Sequence, residues 1–484
     1  MTADLTAEAG SSTAAMPQCG VVLLISTYDL GRQPFGLASA AAAVRAAGYE
    51  VVCADLAKEP LNEATVRRAA LIAFFVPMHT ATRLAIPVID RVRATNPGAR
   101  LIAYGLYAPL NAPLLRDHGV SSIIGGEFED ALVASVGNKD ALVASVGNKD
   151  ALVASVERPP VTGASDERAR VPRVHFLVPD RAGLPPLTSY ATLQWGDERR
   201  TAGYTEASRG CKHRCRHCPI VPVYDGRFRV VPVDIVMADV RAQVAAGAQH
   251  ITFGDPDFFN GIGHATAVVD RFAREFPGVS YDVTVKVEHL LRHADVLPRL
   301  RDTRCAFITT AVESVDDRVL ALLDKGHTRA DFERLVERAR AVPVVLAPTF
   351  VAFTPWTTLE GYCDLLRAID RLDLTDHVAP IQLAIRLLVT EGSRLLEIPE
   401  IRRMTRQFSP RSLTYPWVHA DPRVDDLQQA IEALVGVSLS APRRAVFGRV
   451  WALAHDAAGI RAERYDPAIP ARATIPYLNE PWYC

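Results

Sequence analysis

Cys211, Cys215 and Cys218 fall within eight residues, in the run Arg209-Gly210-Cys211-Lys212-His213-Arg214-Cys215-Arg216-His217-Cys218-Pro219. A C-x3-C-x2-C spacing on a loop after a strand brings three sulfur atoms to one centre. A [4Fe–4S] cube needs four ligands, and three thiolates supply three of them. The fourth iron then stays open to a small molecule, which suits substrate chemistry and does not serve a simple electron carrier. Zinc is the competing reading, since three cysteines with His213 or His217 make a tetrahedral set. A zinc site usually takes a second ligand pair from a separate hairpin, and none is evident here. His213 and His217 themselves read as exposed loop residues. Lys212, Arg214, Arg216, Arg227 and Arg229 surround the loop and are placed to offset the negative charge of a thiolate-bound cube.

The elements that must hold this loop can be traced on both sides of it. GYTEASRG leads in, and HITFGDPDF, VSYDVTVKVE, CAFITTAVES, VVLAPTFVAF and IQLAIRLLV follow, separated by helical patterns such as PVDIVMADVRAQVAAG and RADFERLVERARAV. Six strand–helix units predict a partial (β/α)6 barrel over residues 201–390, with chemistry at the C-terminal ends of the strands. Upstream, the apolar runs GVVLLIS, YEVVCADL, ALIAFFVP, ARLIAYG and SSIIGG alternate with helical segments. Continuous apolar strands with intervening helices predict a doubly wound parallel sheet over 19–129. The fold class is therefore α/β. Residues 1–18 read as a disordered tail, 130–200 as a repeat-containing linker, and 391–484 as a C-terminal cap and tail. DALVASVGNK occurs at 130–139 and 140–149, with DALVASVE at 150–157, which reads as a duplication in a tolerant surface segment without a function of its own.

The 484 residues are too many for one ordinary core and imply two or three domains. Apolar residues make up 49% and the formal net charge is −1, so no global basic field draws the chain to nucleic acid or an anionic membrane. The N-terminus lacks a secretory pattern, and the apolar stretch near 71–89 is broken by His79 and Arg83. A cytoplasmic location is the expectation. Of eight cysteines five are scattered, so neither a disulfide framework nor a second cluster is indicated, and Cys305 and Cys363 read as buried small hydrophobes.

Residues 200–390 resemble the radical SAM superfamily, and the preceding domain resembles the Rossmann-like cobalamin-binding domain of one large subgroup. The resemblance implies an enzyme that chelates S-adenosylmethionine on the open iron and cleaves it reductively. Radical chemistry would follow on a small-molecule or peptide substrate, with an electron donor such as flavodoxin or ferredoxin. It implies that Phe253-Gly254-Asp255-Pro256-Asp257-Phe258 lines the methionine amino group, with Gly254, Asp255 and Asp257 as cofactor-binding candidates. A carboxylate opposite an ammonium is physically sensible, although an Asp-rich turn capping the next helix is equally ordinary. Ala311-Val312-Glu313-Ser314 resembles the family's V-E-S segment, which makes Glu313 a candidate for the ribose or ammonium. Lys286 and Glu288 lie on one face of a period-2 pattern, and Lys286 is a candidate for the cofactor carboxylate. No catalytic residue is assigned beyond the cluster.

More narrowly, CPIVPVYDGRFRVVP, FGDPDFFNG, FTPWTTLEGY, LAIRLLVTEGS, TYPWVHADPRVDDLQ and LNEPWYC resemble the CUAEP/CCAEP-tail radical SAM proteins. Members of that group end in Cys-Cys-Ala-Glu-Pro or Cys-selenocysteine-Ala-Glu-Pro, and this chain stops at Cys484, where that tail would begin. A UGA codon after Cys484 is the expectation, which sequencing the downstream nucleotides decides. Many cobalamin domains carry D-x-H-x-x-G, but the loop here is Tyr28-Asp29-Leu30-Gly31-Arg32-Gln33, with Gly31 at the histidine position. A cobalamin-dependent methyltransferase stays as the alternative, and a non-catalytic zinc or iron–sulfur protein as the alternative of another class. Trp356 and Glu360 are candidates to shape a substrate pocket. Tyr415, Trp417, His419 and Asp421 are candidates to close it.

Overall fold

A computed structural model of the chain describes residues 20–137, 175–438, 440–461, 465 and 475–479. Five parallel strands build the N-terminal sheet: β1 (Val21–Ser26), β2 (Val51–Asp55), β3 (Ala69–Phe75), β4 (Arg100–Tyr104) and β5 (Ser122–Ile124). Their order is β2-β1-β3-β4-β5, a doubly wound arrangement. Unbroken runs such as VVLLIS form its centre because helices cover both faces, leaving no solvent side to demand alternation.

The second sheet has the order β13-β12-β11-β10-β7-β6-β14. Its members are β6 (Thr192–Trp195), β7 (Glu198–Thr205), β10 (His250–Phe253), β11 (Ser280–Thr284), β12 (Cys305–Glu313), β13 (Leu346–Phe350) and β14 (Tyr477–Leu478). β7, β10, β11, β12 and β13 run parallel and curl into a half-barrel, while β6 and β14 extend one edge antiparallel. A separate two-stranded ladder, β8 (Ser208–Gly210) with β9 (Phe228–Val230), brackets the cysteine loop.

Three expectations are corrected here. The sixth barrel strand does not form: 381–389 holds a 3-10 turn, Pro380–Leu383, and a single parallel bridge from Arg386 to Phe353. Gln382 Oε1 accepts from the Phe350 amide at 3.0 Å, so a side chain occupies an edge donor that a further strand would use. Lys286 and Glu288 do not share a strand face, because β11 ends at Thr284. Lys286 is instead the N-cap residue and Glu288 lies in the first turn of the helix Val287–Arg292. Finally, the first repeat copy is not linker. It forms most of the helix Glu129–Gly137, whose Leu132 and Val136 are buried in the core of the N-terminal sheet. The later copies, the 1–18 tail, Cys19 and the end of the chain with Cys484 lie outside the described residues. Among the described residues, no helix is long and apolar enough to cross a membrane.

Candidate active site

The β8–β9 ladder delivers the cysteine loop to the C-terminal end of the half-barrel. Gly210 ends β8 at φ +75°, and a Cβ there would stand 2.5 Å from the Arg227 carbonyl, so only glycine makes this turn without displacement. Asn260 holds the next bend, accepting from the Lys212 amide at 3.1 Å and donating to the Gly210 carbonyl at 3.2 Å. Cys218 N–H donates to the Cys215 carbonyl at 3.2 Å, closing a turn that draws the sulfurs inward. The Arg216 amide donates to the Leu323 carbonyl at 2.9 Å, and Ser393 Oγ donates to the Arg216 carbonyl at 3.1 Å. The loop is thereby fixed to the helix Asp317–Leu323 and to the cap.

All three thiols are at least half-buried, and none is in a disulfide. Burial, with the neighbouring thiols adding to it, pushes Cys211 up to about 11 and Cys218 up to about 12. Thiols that crowd one another in this way need a metal or cluster to stay ionised at neutral pH. Two buried lysines face them. Lys286 Nζ lies 3.7 Å from Cys215 Sγ. Lys325 lies 3.1 Å from Glu313. Burial opposes the Lys325 charge, but Glu313 and then the thiols of Cys215 and Cys218 raise it above its usual value. Lys325 escaped sequence reasoning. Its trace was Asp324-Lys325-Gly326, where Asp324 and Gly326 both take positive φ and turn the lysine back towards the loop.

Glu313 ends β12 at φ +69° and is buried. Burial works against its charge, yet Lys325 and His217 (3.2 Å) hold its carboxyl well below the usual carboxylate range. His217 and His213 are therefore not exposed loop residues. Their side chains are 14% and 15% exposed, and His213 Nε2 lies 3.0 Å from His289 Nε2.

The acidic turn after β10 is mostly committed to the protein itself. Asp255 accepts from the Ala207 amide at 2.9 Å and from Ser208 Oγ at 2.5 Å, so both oxygens tie β10 to the loop entry. Burial pushes its carboxyl up to about 7. A carboxyl raised from about 4 holds its proton in the fold and loses it in the unfolded chain, so its stabilising contribution fades as pH rises through that window. Asp255→Asn is expected to flatten the fall in thermal midpoint between about pH 4 and 7, measured by pH-resolved melting. Gly254 is pressed by Tyr204: a Cβ would fall 1.8 Å from its hydroxyl. Gly254→Ala is expected to cost on the order of 1–3 kcal/mol in urea unfolding, as overpacking does. Asp257 caps the following turn through the Phe259 amide at 3.1 Å and faces His289 at 2.7 Å.

The remaining candidates have partners away from the cysteines. Trp356 donates to Glu400 at 3.2 Å, and Glu360 lies in the first turn of the helix Leu359–Arg371. Tyr415 donates to Glu391 at 2.5 Å, and Trp417 donates to the Leu387 carbonyl at 2.8 Å beneath the Arg386 guanidinium. Asp421 caps the helix Pro422–Gly436, and His419 Nδ1 sits 3.0 Å from its backbone amide. These contacts build the cap's own core and helix ends. Cys363 is fully buried, and Cys305 donates to the Phe307 carbonyl at 3.3 Å.

Residues 205–353 match the family model described as Radical SAM superfamily. The ribosomal protein uS12 methylthiotransferase RimO of Parabacteroides distasonis is 28% identical over 182 residues, 35% of this chain and 41% of that protein. A tRNA-2-methylthio-N(6)-dimethylallyladenosine synthase of Chlorobium phaeobacteroides is 29% identical over 187 residues, 36% of this chain and 39% of that protein. The chain thus spans about two fifths of the length of these curated relatives. Among solved structures, the cobalamin-dependent S-adenosylmethionine radical enzyme OxsB, with aqua-cobalamin and S-adenosylmethionine bound, superposes with a TM-score of 0.64 at 12% identity. That superposition covers 87% of this chain and 67% of OxsB. The radical S-adenosylmethionine methyltransferase TsrM of Kitasatospora setae gives 0.56 at 18% identity, covering 80% of this chain and 77% of TsrM. At these identities the shared property is the fold.

Proposed function

The chain carries a radical SAM domain, and we propose that it is an enzyme holding a [4Fe–4S] cluster on Cys211, Cys215 and Cys218 to cleave S-adenosylmethionine. One observation carries this reading: three crowded thiols on a turn pinned at both ends, faced by two buried lysines. When bound, such a cluster supplies an open iron for the amino-carboxylate end of S-adenosylmethionine and an electron for its carbon–sulfur bond. The chain's own residues do the rest. Lys286 and Lys325 set two positive charges against the thiolates where water does not screen them. Glu313, kept ionised by Lys325 and His217, is the carboxylate available to an ammonium or to ribose hydroxyls. Asp255 holds the loop entry, one oxygen on the Ala207 amide and the other on the Ser208 hydroxyl. Gly254 keeps a side chain away from the strand end beside Tyr204.

A small-molecule or peptide substrate and an external one-electron donor complete the reading. The fold invites cobalamin, but the edge of the N-terminal sheet does not fit one ligated by a protein histidine. Gly31, at φ +74°, stands where the imidazole would be. At the ends of β3 and β4, Phe75, Tyr104 and Phe128 pack ring on ring, and a Cβ on Gly36 would stand 2.2 Å from Phe75.

Anaerobic reconstitution with iron and sulfide tests the proposal. Four irons and four acid-labile sulfides per chain are expected, with 5′-deoxyadenosine or another cleavage fragment formed from labelled S-adenosylmethionine. A colourless protein holding one zinc overturns it. The label's fate shows whether a methyl, adenosyl or aminocarboxypropyl group moves. Lys325→Met is expected to lower the cluster's reduction potential, because the reduced state carries one more negative charge and loses a buried cation. A redox titration followed by electron paramagnetic resonance measures it.

A further inference from the structure

We propose that His213, Asp257 and His289 form a site for one divalent first-row transition-metal ion, separate from the cysteine trio. Three elements contribute. His213 lies between Cys211 and Cys215, Asp257 in the turn after β10, and His289 in the helix after β11. One ligand atom from each residue lies within 4.8 Å of the other two. Asp257 Oδ2 is 2.7 Å from His289 Nδ1 and 3.7 Å from His213 Nε2. Donors held at 2.0–2.2 Å by a tetrahedral ion stand roughly 3.4 Å apart, so these separations bracket that spacing.

Two buried polar atoms of this group lack hydrogen bonds. Asp257 and His289 have no exposed side-chain surface, yet neither Asp257 Oδ2 nor His289 Nδ1 makes a hydrogen bond. The other Asp257 oxygen is taken by the Phe259 amide. Polar atoms this deep are normally satisfied, and these two face one another at 2.7 Å as a carboxylate–imidazole pair whose geometry closes no hydrogen bond, so both can turn to one cation. Around the site, Glu288 Oε2 lies 3.8 Å from His213 Nδ1, the ring nitrogen that faces away from Asp257. At that distance the carboxylate, which also pairs with Arg292 at 2.6 Å, places negative charge near the ring without a hydrogen bond to it. Two imidazoles and one carboxylate suit zinc(II) or iron(II), and three protein ligands leave a coordination position open. The ion would tie the middle of the cysteine loop to the ends of β10 and β11.

The test does not depend on the cluster. In the full-length chain with Cys211, Cys215 and Cys218 all changed to serine, cobalt(II) is the probe. One cobalt per chain is expected, with visible d–d absorption and no thiolate charge-transfer band. In that background His213→Ala and Asp257→Asn are each expected to weaken binding about tenfold or more. Asparagine keeps an oxygen for the Phe259 amide, so the turn survives. Folded protein without stoichiometric cobalt, or binding indifferent to both changes, overturns the site. The latter outcome would leave the three residues as a buried polar chain only. Should the serine variant not fold, metal analysis of the wild-type chain decides. One zinc, or one iron beyond the cluster's four, must be lost in His213→Ala while the sulfide content stays. A wild-type chain without that extra ion, or a His213→Ala chain that keeps it, counts against the proposal. A cluster-free wild-type protein that still binds one zinc at this site refutes the cluster reading and leaves this one standing.

Discussion

Cys211→Ala, Cys215→Ala and Cys218→Ala are each expected to abolish S-adenosylmethionine cleavage and to leave less than one intact cluster per chain. Each sulfur holds one corner of the cube, and no other described cysteine can replace it. Cys53, Cys305 and Cys363 lie in other parts of the fold, in the N-terminal sheet, in β12 and on the helix Leu359–Arg371. Serine in place of cysteine keeps the shape but not the soft donor, so it is expected to behave like alanine. Iron and sulfide counts on oxygen-free protein, with product analysis by mass spectrometry, measure the effect. An alanine variant with wild-type turnover would end the ligand assignment for that cysteine.

Arg209→Met is expected to cost about 3–5 kcal/mol of stability, the penalty for removing one partner of a buried ion pair. Arg209 precedes the cysteine loop and is almost fully buried between the two sheets. Its guanidinium reaches Glu129 at 2.8 Å, Glu206 at 2.8 Å and Glu127 at 3.1 Å, and donates to Ser39 Oγ at 3.2 Å. Phe35, Phe128 and Phe176 surround it, so little water screens the charges. Burial pushes Glu206 up to about 7 even with Arg209 present. Without the arginine, one buried and two half-buried acids face one another, and protonating them relieves the repulsion. The loss is therefore expected to be greater at pH 8 than at pH 5. Urea unfolding at both values checks the sign. Pairing Arg209→Met with Glu129→Gln should cost less than the sum of the two single changes, because the second removes an acid the first leaves unpaired.

The cysteine trio, the parallel N-terminal sheet and the strand–helix alternation of the barrel are local patterns, so the order of residues alone revealed them. Spacing decides whether three sulfurs can reach one cube. Unbroken apolar runs decide that a strand is covered on both faces. Residue order could not show what each polar side chain would find once the strands curled together. Asp255 and Asp257 looked alike in sequence, yet one is consumed by Ala207 and Ser208 and the other faces two histidines from separate elements. Lys325 stands 107 positions after Cys218 in the chain and still shares its charge environment. The sixth strand was lost to a side chain, Gln382, that no periodicity announces. Pairing in a buried site is settled by distance in space and by the cost of leaving a charge alone there. Both belong to the folded chain, and neither is written in any single segment of it.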